Sequence, residues 1–142
     1  RAFSSVTVMV QKEVAERICA KAGTADYSAF TVFCNYYAEP EILFLVPPDC
    51  FIPQPKVTSA VIRLKARTAP PCKILDEGLF FRVVRASFAQ RRKTAVNSIS
   101  NTLHMSKQQV TDAFEQAGVR ANSRAEALTL PEFAAIVNQL AD

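Results

Sequence analysis

Val6-Thr7-Val8-Met9-Val10, running without a break into Gln11-Lys12-Glu13-Val14-Ala15-Glu16-Arg17-Ile18, decides the fold class of this chain. The first five residues are β-branched or apolar, which reads as a strand covered on both faces. From Gln11 to Lys21 the spacing turns helical: Val14, Ala15 and Ile18 share one side, and Lys12, Glu13, Glu16 and Arg17 take the others. Gly23 is placed to stop that helix. A strand feeding directly into a helix is half of an α/β unit.

Working outward, Tyr27 to Ala38 is rich in β-branched and aromatic residues. Phe30, Phe33, Cys34 and Tyr37 nevertheless recur at helical spacing, with Asp26 as an N-cap candidate, so a helix is expected. Glu41 to Val46 reads as a strand stopped by Pro47-Pro48. Val57 to Lys65 alternates: Ala60, Ile62 and Leu64 point one way, Ser59, Val61, Arg63 and Lys65 the other. That pattern predicts a half-exposed strand near a sheet edge. The short connection between the two strands allows an antiparallel pairing, since a parallel crossover needs about a dozen or more residues and usually a helix. It holds four prolines in ten residues, Pro47 to Lys56, and is therefore a stiff loop with Phe51 at its middle.

Ala66 to Lys73 has the composition of a linker, and the remainder of the chain reads as helix. Leu79 to Leu103 carries Phe80, Val84, Phe88, Ala95 and Ile99 at helical spacing. Ser106-x-x-Gln109 opens a helix that Gly118 closes. Thr129-x-x-Glu132, with Pro131 in the first turn, opens a last helix burying Phe133, Ile136, Val137 and Leu140. The expected architecture is α/β then all-α: residues 1–68, a linker at 69–75, and a helical domain at 76–142.

Composition narrows the function classes. The 142 residues are nearly half hydrophobic with only three glycines, so the chain can bury a core and is not a disordered tail. No apolar run approaches the roughly 18 residues of a membrane span, and no signal-peptide pattern opens the chain. An opening without Met, a few residues before a strand, suggests a fragment of a longer protein. Cys19, Cys34, Cys50 and Cys72 form no C-x-x-C pair, and the single histidine, His104, is near none of them. This spacing speaks against a metal site and for free thiols in a reducing compartment, hence a cytoplasmic protein.

The charge is concentrated. From Gly78 to Thr111 there is no Asp or Glu, while Arg82, Arg85, Arg91, Arg92, Lys93 and Lys107 give +6, against +4 for the whole chain. Clustered cations without carboxylates suit a polyphosphate partner. A solvated helix face is the ordinary alternative. On one continuous helix Arg82, Arg85, Arg92 and Lys93 fall in one arc, but Arg91 lands among Phe80, Val84 and Ala95. Either the helix breaks near Ala89-Gln90 or Arg91 is paired internally, because a lone buried guanidinium is costly. The break is expected, placing Gln90, Arg91, Arg92 and Lys93 in the first turn of a second helix.

Phe51 either plugs the end of the sheet or offers a platform for an unpaired base, worth about 1–3 kcal/mol in stacking. His104 reads as surface or cap. No nucleophile–base arrangement, paired catalytic carboxylates or Gly-rich phosphate loop is present, so the residues alone indicate nucleic-acid binding and give no reaction.

Four motifs in order carry a resemblance: Met9 to Arg17, Phe51-Ile52-Pro53-Gln54-Pro55-Lys56-Val57-Thr58-Ser59-Ala60-Val61, Phe88-Ala89-Gln90-Arg91-Arg92-Lys93-Thr94 and Arg124-Ala125-Glu126-Ala127-Leu128. Together they resemble the ribosomal RNA small-subunit adenine dimethyltransferases. The macrolide-resistance methyltransferases share the Phe-x-Pro-x-Pro loop but match the basic segment less well.

The resemblance implies the last strands of a Rossmann-like methyltransferase sheet followed by a small helical domain. It implies methyl transfer from S-adenosylmethionine to N6 of two adjacent adenosines in a hairpin loop of small-subunit rRNA. Phe51 would stack on the target adenine. Arg82, Arg85, Gln90, Arg91, Arg92 and Lys93, with Lys12, Arg17 and Arg124, become the candidate RNA contacts in the assembling small subunit. The family's Gly-rich cofactor loop, acidic ribose-binding residue and Asn-Leu-Pro-Tyr motif have no counterpart here, so no catalytic or cofactor-binding residue is assigned and the chain alone is expected to be inactive. Competing expectations are a non-catalytic nucleic-acid-binding module and a ribosome assembly factor. A truncated sheet would expose a strand edge, so any dimer is expected to be an artefact of truncation.

Overall fold

A computed structural model describes residues 4–50 and 52–141. Strand β1 (Ser5–Gln11) runs directly into helix α1 (Lys12–Ile18), the transition the periodicity predicts. The helix is shorter than expected: Cys19 caps it, donating its N–H to the Ala15 carbonyl at 3.0 Å. Gly23 lies beyond, at φ 93°, where its left-handed backbone turns the chain and its N–H donates to the Glu126 carbonyl at 2.6 Å. Gly23 therefore ties the exit of α1 to the C-terminal segment instead of stopping the helix.

Helix α2 (Ala29–Tyr37) forms as expected, but Ser28 and not Asp26 is its N-cap, with the Ser28 N–H donating to Thr31 Oγ1 at 3.1 Å. Its buried residues are Thr31, Val32 and Tyr36. Of the stripe that reveals the helix, Phe30 and Tyr37 stay largely exposed, while Phe33 packs edge-on against Phe81 at 5.1 Å and Cys34 is half-buried toward the sheet. Strand β2 (Ala38–Val46) starts where α2 stops and includes Pro40, tolerated because the strand lies at an edge.

Strand β3 (Ser59–Ala66) pairs antiparallel with both others, in the order β1-β3-β2. The antiparallel β2–β3 pairing follows the short connection. The placement of the alternating strand near an edge is overturned: β3 is central. Its alternation arises because α1 and α2 cover one face of the sheet, burying Ala60 and Ile62, and nothing among the described residues covers the other. For the same reason β1 is not covered on both faces; Met9 is 53% and Phe44 on β2 is 56% exposed. β1 and β2 run parallel to each other, joined through α1 and α2, with β3 inserted between them.

After residues 69–75 come α3 (Glu77–Phe88), α4 (Ala95–Leu103), α5 (Lys107–Gln116) and α6 (Leu130–Leu140), with a short 3-10 turn at Ala125–Ala127. Asp76, Thr94, Ser106 and Thr129 cap these helices, each side chain accepting an N–H from three residues on. At the end of α5 the N–H of Gly118 (φ 77°) reaches the Glu115 carbonyl at 3.0 Å. The Val119 N–H reaches that of Phe114 at 2.9 Å, completing a Schellman motif. His104 is the exposed left-handed C-cap of α4.

Two cores result. A small one joins Ala15, Ile18, Ala60 and Ile62 between α1 and the sheet. The large one gathers the apolar faces of α3 to α6 and reaches back across the linker to Tyr27, Val32 and Tyr36. Two buried or half-buried phenols reinforce that bridge: Tyr27 Oη donates to the Leu128 carbonyl at 2.6 Å and Tyr36 Oη to Glu77 Oε2 at 2.7 Å. All four cysteines are free thiols. Among the described residues no helix is long and apolar enough to cross a membrane, and no group of three or more His, Cys, Asp or Glu could hold a metal ion.

Candidate nucleic-acid interface

Helix α3 presents two chemistries on opposite sides. Leu79, Phe80, Val83, Val84 and Ala86 enter the large core, while Arg82 and Arg85 stay in solvent. The Arg85 guanidinium lies 5.9 Å from the centroid of the Phe33 ring, a cation–π contact that holds it toward α2.

The helix ends at Phe88, so the break required by the position of Arg91 is present. The second helix begins later than predicted, however. Gln90 to Lys93 do not form its first turn; they form a separate turn, closed by the Lys93 N–H donating to the Gln90 carbonyl at 3.0 Å, before Thr94 caps α4. The strong cap at Thr94, which accepts from the Asn97 N–H at 3.2 Å, sets the later start.

Buried Ser98 holds this break. Its Oγ donates to the Ala86 carbonyl in the last turn of α3 and accepts the Gln90 N–H at 3.0 Å. Gln90 is further engaged through its side-chain carbonyl, which accepts from Asn101 Nδ2 at 3.1 Å. Gln90 thus fixes the turn from within, while Arg91, Arg92 and Lys93 project into solvent. Ser98→Ala should leave the Gln90 N–H without its partner and cost about 1–3 kcal/mol. A thermal melt showing no loss would mean the clamp is dispensable.

Neither of the ion pairs among the described residues, Arg63–Glu41 and Arg67–Glu39, uses a cation of the acid-free window. The window is nonetheless not free of carboxylates in space. Arg91 lines one cleft with Glu126, Gly23 and Thr24, and a second with Asp26 and Arg17. Sequence distance conceals both acids.

The remaining candidates separate by position. Arg17, at the end of α1, is brought beside Arg91. Buried Thr31 fixes this arrangement by donating its Oγ1 to the Arg17 carbonyl at 2.6 Å. Lys12, about 7.5 Å of axial rise away at the other end of α1, adjoins the proline loop, its N–H donating to the Thr58 carbonyl at 3.0 Å. Arg124 opens the 3-10 turn beside the start of α4, where the Ala95 N–H donates to the Ser123 carbonyl at 2.8 Å. Arg82 and Arg85 extend the cationic surface along α3. Phe51 lies outside the described residues.

Two features of this surface escaped the sequence. Ser98 gives no signal, since a serine in a helical stretch does not announce a partner twelve residues back. Phe30 belongs to the helical stripe of aromatics, yet it is 46% exposed over the Arg17–Arg91 cleft.

A small sheet is thus joined to a helical bundle that displays exposed cations on a clamped turn. Similarity to known proteins then makes the family plain. The whole chain, residues 1–142, matches the family described as "Ribosomal RNA adenine dimethylase", and the chain belongs to that family. It is 48% identical over 138 residues to ribosomal RNA small subunit methyltransferase A of Geobacillus thermodenitrificans (strain NG80-2), covering 95% of this chain and 47% of that protein. The protein of the same name from Lachnoclostridium phytofermentans (strain ATCC 700394 / DSM 18823 / ISDg) is 47% identical over 138 residues, 96% of this chain and 48% of its own. The chain thus spans about half the length of the curated relatives it matches. In fold it is similar to a dimethyladenosine transferase from Plasmodium falciparum, with TM-score 0.81 at 21% identity over 98% of this chain and 58% of that one. The 23S rRNA methyltransferase ErmE superposes with TM-score 0.66 at 23% identity, covering 98% and 55%.

Proposed function

We propose that this chain is the RNA-docking part of an S-adenosylmethionine-dependent methyltransferase. The whole enzyme would dimethylate N6 of two adjacent adenosines in a hairpin loop of small-subunit rRNA, in the cytoplasm, on the assembling small subunit. The observation that carries the reading is the clamped turn that holds Arg91, Arg92 and Lys93 in solvent without ion-pair partners, flanked by Arg82, Arg85, Arg17 and Arg124. Phosphate contacts position a nucleic acid, and a rigid cationic turn makes them at low entropic cost. Phe51 would line the adenine pocket, and Lys12 would contact RNA beside the same loop. Residues 1–68 would complete a Rossmann-like sheet, 69–75 serve as linker and 76–142 as the helical RNA-binding domain.

The residues present do not fit the cofactor. The three glycines stand apart at 23, 78 and 118, and β1 passes into α1 through Gln11-Lys12 with no glycine turn to admit the cofactor's backbone-bound groups. Docking is therefore this chain's share of the work, and we expect it to transfer no methyl group alone.

The test is binding of a small-subunit hairpin RNA at increasing salt. Each phosphate contact contributes about 0.7–0.9 to the slope of log K against log salt, so Arg91→Ala with Arg92→Ala should lower the slope by about 1.5. An unchanged slope would remove the docking role. Duplex DNA competing as well as the hairpin would favour a general nucleic-acid-binding module instead.

A further inference from the structure

We infer that the cleft between the start of α2 and the 90–93 turn is a subsite for one unpaired RNA nucleotide, with Phe30 as its base platform and Asp26 as its selector. The inference rests on the RNA-docking reading and adds the part of the ligand that this face recognises.

The cleft measures about 400 Å3 and is lined by Arg17, Asp26, Phe30, Phe88 and Arg91, with Ser28 and two alanines. Its volume suits one nucleotide rather than a duplex. Phe88 forms its inner wall, tilted against Tyr27 at 6.0 Å and Phe133 at 6.1 Å, and so belongs to the core. Phe30 differs. It is 46% exposed, it is absent from both cores, and no ring among the described residues packs against it. Phe30 brings a large, partly exposed apolar ring to a cleft that Arg17 and Arg91 also line. That combination suits stacking, since unpaired bases are held on aromatic faces while Arg takes their phosphates.

The groups are fixed before any ligand arrives. Thr31 holds the end of α1 to α2, which sets Arg17 beside Phe30. Ser98 holds the turn that carries Arg91. The Gly23 N–H bond to Glu126 and the Tyr27 hydroxyl bond to Leu128 fix the two ends of the segment that carries Asp26.

Asp26 gives the subsite its selectivity. A carboxylate can only accept hydrogen bonds, so it favours a base edge with adjacent N–H donors and disfavours one lined by carbonyls. Guanine offers two such donors side by side. Adenine and cytosine offer an exocyclic amine. Uracil places its single N–H between two carbonyl oxygens that the carboxylate repels.

The experiment uses the chain with short oligo(U) RNAs that carry one internal G, A, C or no replacement. The G strand should bind most tightly and plain oligo(U) least. Phe30→Ala should weaken the G strand about tenfold with an unchanged salt slope, and Phe30→Tyr should restore it. Asp26→Asn should close most of the gap between the G strand and oligo(U). Equal affinity of parent and Phe30→Ala, where Arg91→Ala with Arg92→Ala still flattens the slope, overturns the subsite and leaves docking intact. Weakening by Phe30→Ala with an unaltered slope in the double arginine variant supports the subsite and overturns the docking reading. A Phe30→Tyr variant that binds as poorly as Phe30→Ala also overturns the platform.

Discussion

Phe80→Ala is expected to remove about 3–5 kcal/mol of stability, the usual cost of emptying a fully buried phenylalanine site, out of the 5–15 kcal/mol typical of a whole domain. Phe80 has no exposed surface and its ring lies 5.3 Å from Tyr36 and 5.5 Å from Phe81. Tyr36 belongs to α2, before the linker, and Phe80 to α3, after it. The cavity would therefore open on the seam between the two parts and not inside one of them. The tyrosines make this measurable. All three, Tyr27, Tyr36 and Tyr37, precede the linker and the chain has no Trp, so tyrosine fluorescence reports the first part. The four helices after the linker dominate the far-UV circular dichroism. In the parent and in Phe80→Ala the two signals should fall together in urea, because one core spans both parts. Separate transitions in the parent would show two independent units. A midpoint unmoved by Phe80→Ala would show that the seam contributes little.

This shared core marks where the sequence stopped being legible. Caps were readable because their chemistry is local: Ser106, Thr129 and Gly118 each act within a few residues of where they stand. The break after Phe88 was readable because Arg91 could not be placed on one continuous helix without burying a charge. What could not be read were relations across the chain. The alternation of β3 reports which face is covered, and it carries no information on whether a strand has one neighbour or two. Val6 to Val10 looked doubly covered because its composition is apolar, but cover is supplied by other segments. Gly23 satisfied the left-handed turn rule at the wrong place, since its N–H partner is Glu126, over a hundred residues away.

The candidate site divides in the same way. Charge is additive along a sequence, so the cationic window from Arg82 to Lys93 needed no structure. Its counter-charges did, because Asp26 and Glu126 reach Arg91 only through the fold. The role of Gln90 changed for a related reason. In the sequence it is one polar residue in a basic run; in the structure Ser98 and Asn101 use it to hold the run in place. The hydrogen bonds that hold the cationic turn come from residues that carry no charge.

At alkaline pH the chain should lose stability through Tyr27. Burial, followed by the nearby Glu132 charge, pushes the Tyr27 phenol up to about 12, against roughly 10 for a free tyrosine. Below pH 10 both folded and unfolded chains keep the proton, and the shift has no effect. Between pH 10 and 12 the unfolded chain releases it while the folded chain retains it, so rising pH favours unfolding. The slope is about 1.4 kcal/mol per pH unit, and the loss approaches about 2–3 kcal/mol at the upper end. Tyr36 is pushed up to about 12 as well, by burial and then by its hydrogen bond to Glu77, and the thiols of Cys19, Cys34 and Cys72 are raised by burial. These groups act in the same direction, so the diagnostic is the difference between the parent and Tyr27→Phe. At neutral pH Tyr27→Phe should cost about 1–3 kcal/mol, because the Leu128 carbonyl loses the hydroxyl that satisfies it in the core. Near pH 12 that penalty should shrink or reverse, since the variant has no phenol to titrate. Urea unfolding of both proteins across this range checks it. A pH-independent difference would mean that the Tyr27 hydroxyl is reached by water in the folded chain, and that the seam it helps close is open.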